Sequence, residues 1–228
     1  MVEFLFLDLD DTILDFHKAE SIAIRKTLEK AGVTLSEENV ALYSQINKQH
    51  WEMLERGEIT RAQVKVFRFA RLFEALGVTA DPVATAKNYE ALLGIGHYFL
   101  PGAEEAVTAL SKKYRLFLVS NGTASVQAGR MTSANLYRFF EKTFISEEIG
   151  ANKPSLTYFQ RCFSQIPDFD PLKSLIVGDS LTSDIQGGKN AGIRTCWVNP
   201  HHVAAPEALQ PDLEIERLSQ LAPLLETL

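Results

Sequence analysis

Val2-Glu3-Phe4-Leu5-Phe6-Leu7-Asp8-Leu9-Asp10-Asp11-Thr12 is the stretch that decides the fold class. It is almost continuously apolar up to Leu9 and then turns acidic. A strand that shows water neither face reads this way, and such strands belong to parallel sheets covered by helices on both sides. Side chains alternate along an extended chain, so Asp8 and Asp10 are expected on one side of the strand end. Two carboxylates that close together do not both stay ionised without a cation or a shared proton.

Beyond Pro101-Gly102 the chain alternates in the same sense. The pattern predicts helices over 103–113, 123–135, 156–165 and 181–191, with strands over 115–120, 143–146, 174–178 and 194–198 between them. An edge strand near 212–215 and a last helix over 218–225 complete it. Strands alternating with helices require crossover connections and hence a parallel sheet. Between His17 and Leu93 no β-rich run occurs; helical stretches are broken by Gly32, Gly57 and Gly77, and an apolar stripe is expected through Val64, Phe67, Arg71, Leu72 and Ala75. The expectation is an α/β protein, a doubly wound parallel sheet (1–14 and 97–228) carrying an inserted all-α unit (15–96).

The chain has 228 residues, 46% hydrophobic and 23% charged, which excludes disorder and low complexity. Its net charge of -6 is unevenly placed. Residues 15–96 hold 11 basic and 11 acidic side chains, and the remainder holds 12 and 18, so the acidity belongs to the α/β part. No basic field exists to draw in a nucleic-acid polymer or an anionic membrane. Cys162 and Cys196 lack zinc-site spacing and are read as reduced, buried thiols. The N-terminal apolar run is too short for a signal peptide or membrane span, and the expected location is cytoplasmic.

In doubly wound sheets ligands bind beyond the carboxyl ends of the strands. Four such ends carry chemistry here. The first is Asp8-Leu9-Asp10-Asp11-Thr12; the second, Ser120-Asn121-Gly122, offers a hydroxyl, an amide and a flexible residue at a helix start that favours an anion. The third, Asn152-Lys153-Pro154, places a positive charge in a turn, and the fourth, Gly178-Asp179-Ser180 with Asp184, returns to carboxylates. Each alone has an ordinary reading as a helix cap, a turn or a surface charge. Four independent strand ends supplying these groups in this order do not.

This ordered set resembles the four motifs of the haloacid dehalogenase superfamily, along the whole chain. The resemblance implies a Rossmann-like core with a C1 helical cap. It implies a Mg2+-dependent phosphomonoester hydrolase in which Asp8 is the nucleophile that forms an aspartyl phosphate and Asp10 is the general acid and base. Ser120 and Asn121 would hold phosphoryl oxygens, and Lys153 would offset charge on Asp8 and the transferring group. The Asp8 carboxylate, the Asp10 carbonyl and Asp179 would bind Mg2+, with Asp184 and Thr12 in support. The dehalogenase branch, which needs no acid at the position of Asp10, resembles this chain less well.

The stretch from Trp51 to Arg61, followed by Arg68-Phe69, together with Asp15-Phe16, resembles the noncanonical pyrimidine 5'-nucleotidase subgroup. A small phosphorylated metabolite, a pyrimidine nucleoside 5'-monophosphate, is the implied substrate, with Phe16, Asn47 and Trp51 as candidate specificity residues; packing within the cap is the alternative for Phe16 and Trp51. A phosphosugar phosphatase or mutase shares the motifs and remains open. So does, more distantly, a non-enzymatic phosphoacceptor or partner-binding domain, although receiver domains lack both the Asp-x-Asp and the long insert. Monomer and dimer are both left open. Gly94-Ile95-Gly96 reads as a hinge or turn, and His201-His202 as solvated loop.

Overall fold

The computed structural model describes residues 2–227. Six parallel strands form one sheet: β1 (Phe4–Leu7), β2 (Arg115–Ser120), β3 (Lys142–Ile145), β4 (Ser174–Gly178), β5 (Arg194–Val198) and β6 (Leu213–Ile215). Their spatial order is β3-β2-β1-β4-β5-β6. The opening stretch is therefore central, with Leu7 registered against Leu118 on one side and Val177 on the other.

All four β1 residues are buried, and alternation divides them between two cores. Phe4 and Phe6 pack with Phe117, Phe144, Tyr158 and Phe159 on one face, and Leu5 and Leu7 with Val107, Leu118, Leu175 and Leu221 on the other. This is why the run is apolar throughout rather than alternating. Four helices, α1 (Phe16–Lys30), α2 (Glu37–Glu55), α3 (Arg61–Leu76) and α4 (Pro82–Leu93), follow β1. The rest of the chain adds α5 (Ala103–Leu110), α6 (Ala124–Ser133), the single turn α7 (Ser146–Ile149), α8 (Leu156–Phe163), α9 (Gln186–Ala191) and α10 (Leu221–Leu225).

The first four helices begin at side-chain caps, Asp15, Ser36, Thr60 and Asp81, each accepting a backbone N–H of the first turn. They build an apolar cluster of their own around Ile24, Tyr43, Phe69, Leu72 and Tyr89, to which α6 lends Val126. Truncating a ring such as Phe69 to Ala costs about 3–5 kcal/mol in a core of this kind. The chain passes into and out of this bundle at one place, where Asp15 N–H donates to the Tyr98 carbonyl (2.7 Å) and Leu100 N–H to that of Ile13 (3.0 Å).

The α3 stripe differs from the expected one. Phe67 is 46% exposed, and Arg71 and Ala75 are exposed too, whereas Val64, Arg68, Phe69, Leu72 and Phe73 are buried. The buried Arg68, which donates to Asn47 Oδ1 (2.9 Å), turns the helix so that Phe69 and Phe73 face inward in place of Phe67 and Arg71. The expected helix over 181–191 opens instead as a π-helical turn, Leu181–Ile185, before α9. That bulge places Ser183 and Asp184 inward. No helix of the described residues is long and apolar enough to cross a membrane.

Candidate active site

Because β1, β2 and β4 end side by side, Asp8, Ser120 and Asp179 leave the sheet at one edge. Asp8 is only 6% exposed, and its N–H still donates to the Val177 carbonyl (3.0 Å). Lys153, 1% exposed, reaches up from the turn after α7 and spends all three ammonium protons there. It donates to Asp8 Oδ1 (2.6 Å), Asp184 Oδ1 (2.6 Å) and the Val119 carbonyl (3.0 Å). Asn121 holds the lysine's backbone on both sides: its Nδ2 donates to the Lys153 carbonyl (2.9 Å), and Lys153 N–H donates to its Oδ1 (2.8 Å).

Among the described residues, carboxylate oxygens of Asp8, Asp179 and Asp184 lie within 4.8 Å of one another. Asp184 stands inside this group, its Oδ2 also accepting from Ser180 N–H (3.2 Å). The close approach needs Gly178, since a Cβ there would lie 2.1 Å from Asp184 Oδ2. Burial raises the Asp8 carboxyl to about 8, with Asp184 and Asp10 adding to the rise and Lys153 opposing it. Burial, then Asp8 and Asp184, likewise holds Asp179 well above the usual carboxylate range. For Lys153 burial works against the charge, but the attraction of Asp184 and Asp8 outweighs it and keeps the ammonium above its ordinary range. Three carboxylates against one ammonium leave a negative deficit among hard oxygen donors, which fits a divalent cation of the Mg2+ type.

Asp10 and Asp8 line one cavity of about 650 Å3, but their carboxylates have different partners. Gln127 Nε2 donates to Asp10 Oδ2 (2.7 Å) and is also 2.8 Å from Ser120 Oγ. The fully buried Arg130 pairs with Asp10 through Nη1 and donates through Nε to the Gly96 carbonyl (2.9 Å). Thr12 is buried next to this turn, yet its Oγ1 has no hydrogen-bond partner among the described residues. Its support is packing, while backbone bonds from Ile13 and Leu14 N–H to the Leu9 carbonyl close the turn.

The far wall of the cavity comes from the helices. Glu20 accepts from Asn47 Nδ2 (2.6 Å) and Ser44 Oγ (3.1 Å), and Asn47 Oδ1 accepts from Arg68 (2.9 Å). Burial raises the Glu20 carboxyl despite these donors. Asn47 is thus already bonded within the helices on both ends of its amide. Phe16 lies under Arg130, 5.8 Å from its guanidinium, and Trp51 lies 5.4 Å from that of Arg61; both rings line the cavity.

Sequence reasoning missed Glu20, Gln127 and Arg130, and quoted Arg61 and Arg68 only for the subgroup resemblance, with no role assigned to either. Gln127 and Arg130 sit three apart on a helix opened by a phosphate-type turn, a spacing that puts both on one face and was the available signal. Asp10, their partner, is more than a hundred residues away. Trp197, read only as strand, donates Nε1–H to the Asp179 carbonyl (2.7 Å) and so steadies that acid's backbone.

Residues 5–198 match the model of the haloacid dehalogenase-like hydrolases, and the chain belongs to that family; it is a phosphatase. It is 38% identical over 221 residues to the HAD-hydrolase YfnB of Bacillus subtilis, covering 97% of this chain and 94% of that one. The crystal structure of YfnB, described as bound to magnesium and as revealing interdomain movement, superposes with a TM-score of 0.93 at 37% identity and 98% coverage of both chains. The pyrimidine 5'-nucleotidase PynA of Streptococcus pneumoniae is 36% identical over 225 residues (98% and 95% of the two chains). The pyrimidine 5'-nucleotidase YjjG of Escherichia coli is 31% identical over 226 residues (98% and 97%).

Proposed function

We propose that the protein hydrolyses pyrimidine nucleoside 5'-monophosphates, using Mg2+ and a phosphorylated Asp8. The observation that carries this reading is the cluster of Asp8, Asp179 and Asp184 on Lys153, facing a cavity whose opposite wall is polar and helical. Asp8, the Asp10 carbonyl and Asp179 would hold Mg2+, with Asp184 supporting through Lys153. When bound, the ion supplies positive charge that keeps Asp8 ionised and offsets charge on the phosphoryl oxygens.

An Asp8 carboxylate oxygen attacks phosphorus, the bond to the ester oxygen breaks, and Asp10 gives that oxygen a proton. Water then attacks the phosphorylated Asp8, Asp10 takes the proton, and phosphate leaves with Asp8 restored. Ser120 Oγ and backbone N–H groups of the Ser120-Asn121-Gly122 turn hold phosphoryl oxygens, and Lys153 neutralises charge beside Asp8. Phe16 and Trp51 offer π-faces on which a base stacks. Glu20, Asn47 and Arg68, bonded to one another, form the polar part of the wall that the base edge would face. The relatives PynA and YjjG, named for pyrimidine nucleotides, support the substrate class.

A panel of phosphate monoesters with and without Mg2+ tests the proposal. Pyrimidine nucleotides should be turned over with the highest kcat/KM, and only with Mg2+. Efficient turnover of sugar phosphates with none of nucleotides overturns the substrate assignment, and isomer formation without phosphate release points to a mutase. Asp8→Asn should abolish turnover.

A further inference from the structure

We infer that Arg61, carried on the first turn of α3, is a positioning residue that assembles the phosphoryl-binding turns. The inference rests on the phosphatase reading of the same site. From the end of Thr60's capping box, Arg61 crosses to the sheet and its guanidinium makes four hydrogen bonds there. Nη1 donates to the carbonyls of Asn121 (2.6 Å) and Gly122 (2.9 Å), and Nη2 to Ser146 Oγ (2.5 Å) and Asn152 Oδ1 (2.7 Å). One side chain from the helical bundle thereby clasps the turn after β2, the start of α7 and the turn that carries Lys153.

The two carbonyls are the informative ones. Their peptide units contain the N–H groups of Gly122, which donates to Ser120 Oγ (3.0 Å), and of Thr123, at the entrance to α6, where an anion is favoured. A guanidinium on the oxygen side fixes those peptide planes and polarises the N–H on the other side. Asn152, the fourth partner, precedes Lys153, whose backbone Asn121 already straps. Both halves of the phosphoryl site, the N–H turn and the lysine, are tied to one planar fork, which an ammonium cannot reproduce. The site is complete only while α3 lies against the sheet.

Lys65, one turn further along α3, supplies the control. It also joins the bundle to the core, 3.5 Å from Glu90 on α4 and 3.1 Å from Glu147 on α7, whose other oxygen accepts from Ala124 N–H (2.7 Å), but it bonds neither the Ser120-Asn121-Gly122 turn nor Asn152. A residue that merely glues the two parts together should behave as Lys65 does.

The test compares Arg61→Met, Arg61→Lys and Lys65→Ala in the full-length enzyme. Inhibition of p-nitrophenyl phosphate hydrolysis by inorganic phosphate is read alongside kcat and the Mg2+ activation constant. Arg61→Met should weaken phosphate inhibition by about tenfold or more and lower kcat, the loss of charge-assisted bonds at the turn. Arg61→Lys should recover only part of this, while Lys65→Ala and all Mg2+ activation constants stay within about twofold of wild type. Should Arg61→Met fold poorly, by circular dichroism and thermal melting, Arg61→Lys carries the comparison alone. Phosphate inhibition within twofold of wild type in the Arg61 variants, or an equal change in Lys65→Ala, overturns the inference. A wild-type enzyme that neither hydrolyses p-nitrophenyl phosphate nor is inhibited by phosphate overturns the site reading itself, and this inference with it.

Discussion

Replacing Lys153 with Met should cost the metal-free protein about 3–5 kcal/mol of stability, the loss expected when one partner of a buried ion pair is removed. The magnitude follows from what the ammonium does. It bonds two carboxylates at 2.6 Å each, Asp8 and Asp184, which are themselves almost fully buried. Met fills most of the volume but leaves both acids without a cation and the Val119 carbonyl without its donor. In a chain of this size the thermal midpoint should fall by on the order of 10 °C. The assay is urea unfolding in EDTA at neutral pH, repeated with millimolar Mg2+. Magnesium, binding only the folded form, should recover part of the loss. The deficit should also shrink at mildly acidic pH, where the buried pair of acids left without a cation takes up a proton instead. A metal-free variant within about 1 kcal/mol of wild type at neutral pH would refute the account of Lys153 as the charge that makes this cluster tolerable.

Three further outcomes are expected. In EDTA, wild-type stability should fall as pH rises from about 4 to about 8: the folded Asp8 carboxyl is raised from 3.8 to about 8, so the native state holds protons the unfolded chain has lost, and Mg2+ should flatten the slope. A metal-free protein that grows more stable over that window, in urea titrations at several pH values, contradicts the assignment. Trp197→Phe removes the donor to the Asp179 carbonyl and should weaken Mg2+ activation about tenfold with little change in fold, as measured by Mg2+ titration of activity and circular dichroism. Arg130→Met frees Asp10 from its fixed direction and should lower kcat about a hundredfold while the Mg2+ activation constant holds, which steady-state kinetics will show.

Much of the core is legible in the sequence. Strands β4 and β5 fall on the expected residues, because a strand buried on both faces and bounded by Lys173 or Gly192 leaves little freedom of register. The four strand ends could be named as one site because a parallel sheet delivers every carboxyl end to the same edge. The helical bundle was legible as helix but not as faces. Arg68 lies inward because Asn47 Oδ1 accepts a hydrogen bond from its Nη1, and hydropathy cannot see a partner twenty-one residues away. Phe67 took the outward place instead.

What the sequence by itself determined is the chemistry at each strand end and the order in which those ends occur. Both are local: a carboxylate at the close of an apolar run is fixed by the chain's own periodicity. The tertiary structure alone decided which charges face one another. Asp184 stands within reach of Asp8 and Asp179 because a π-helical turn redirects it, and Asp10 is held by Arg130 and Arg61 by four core acceptors across separations of 60 residues or more. Such pairings depend on long-range packing, and a side chain's type states what it can bond but not what the fold will bring within reach.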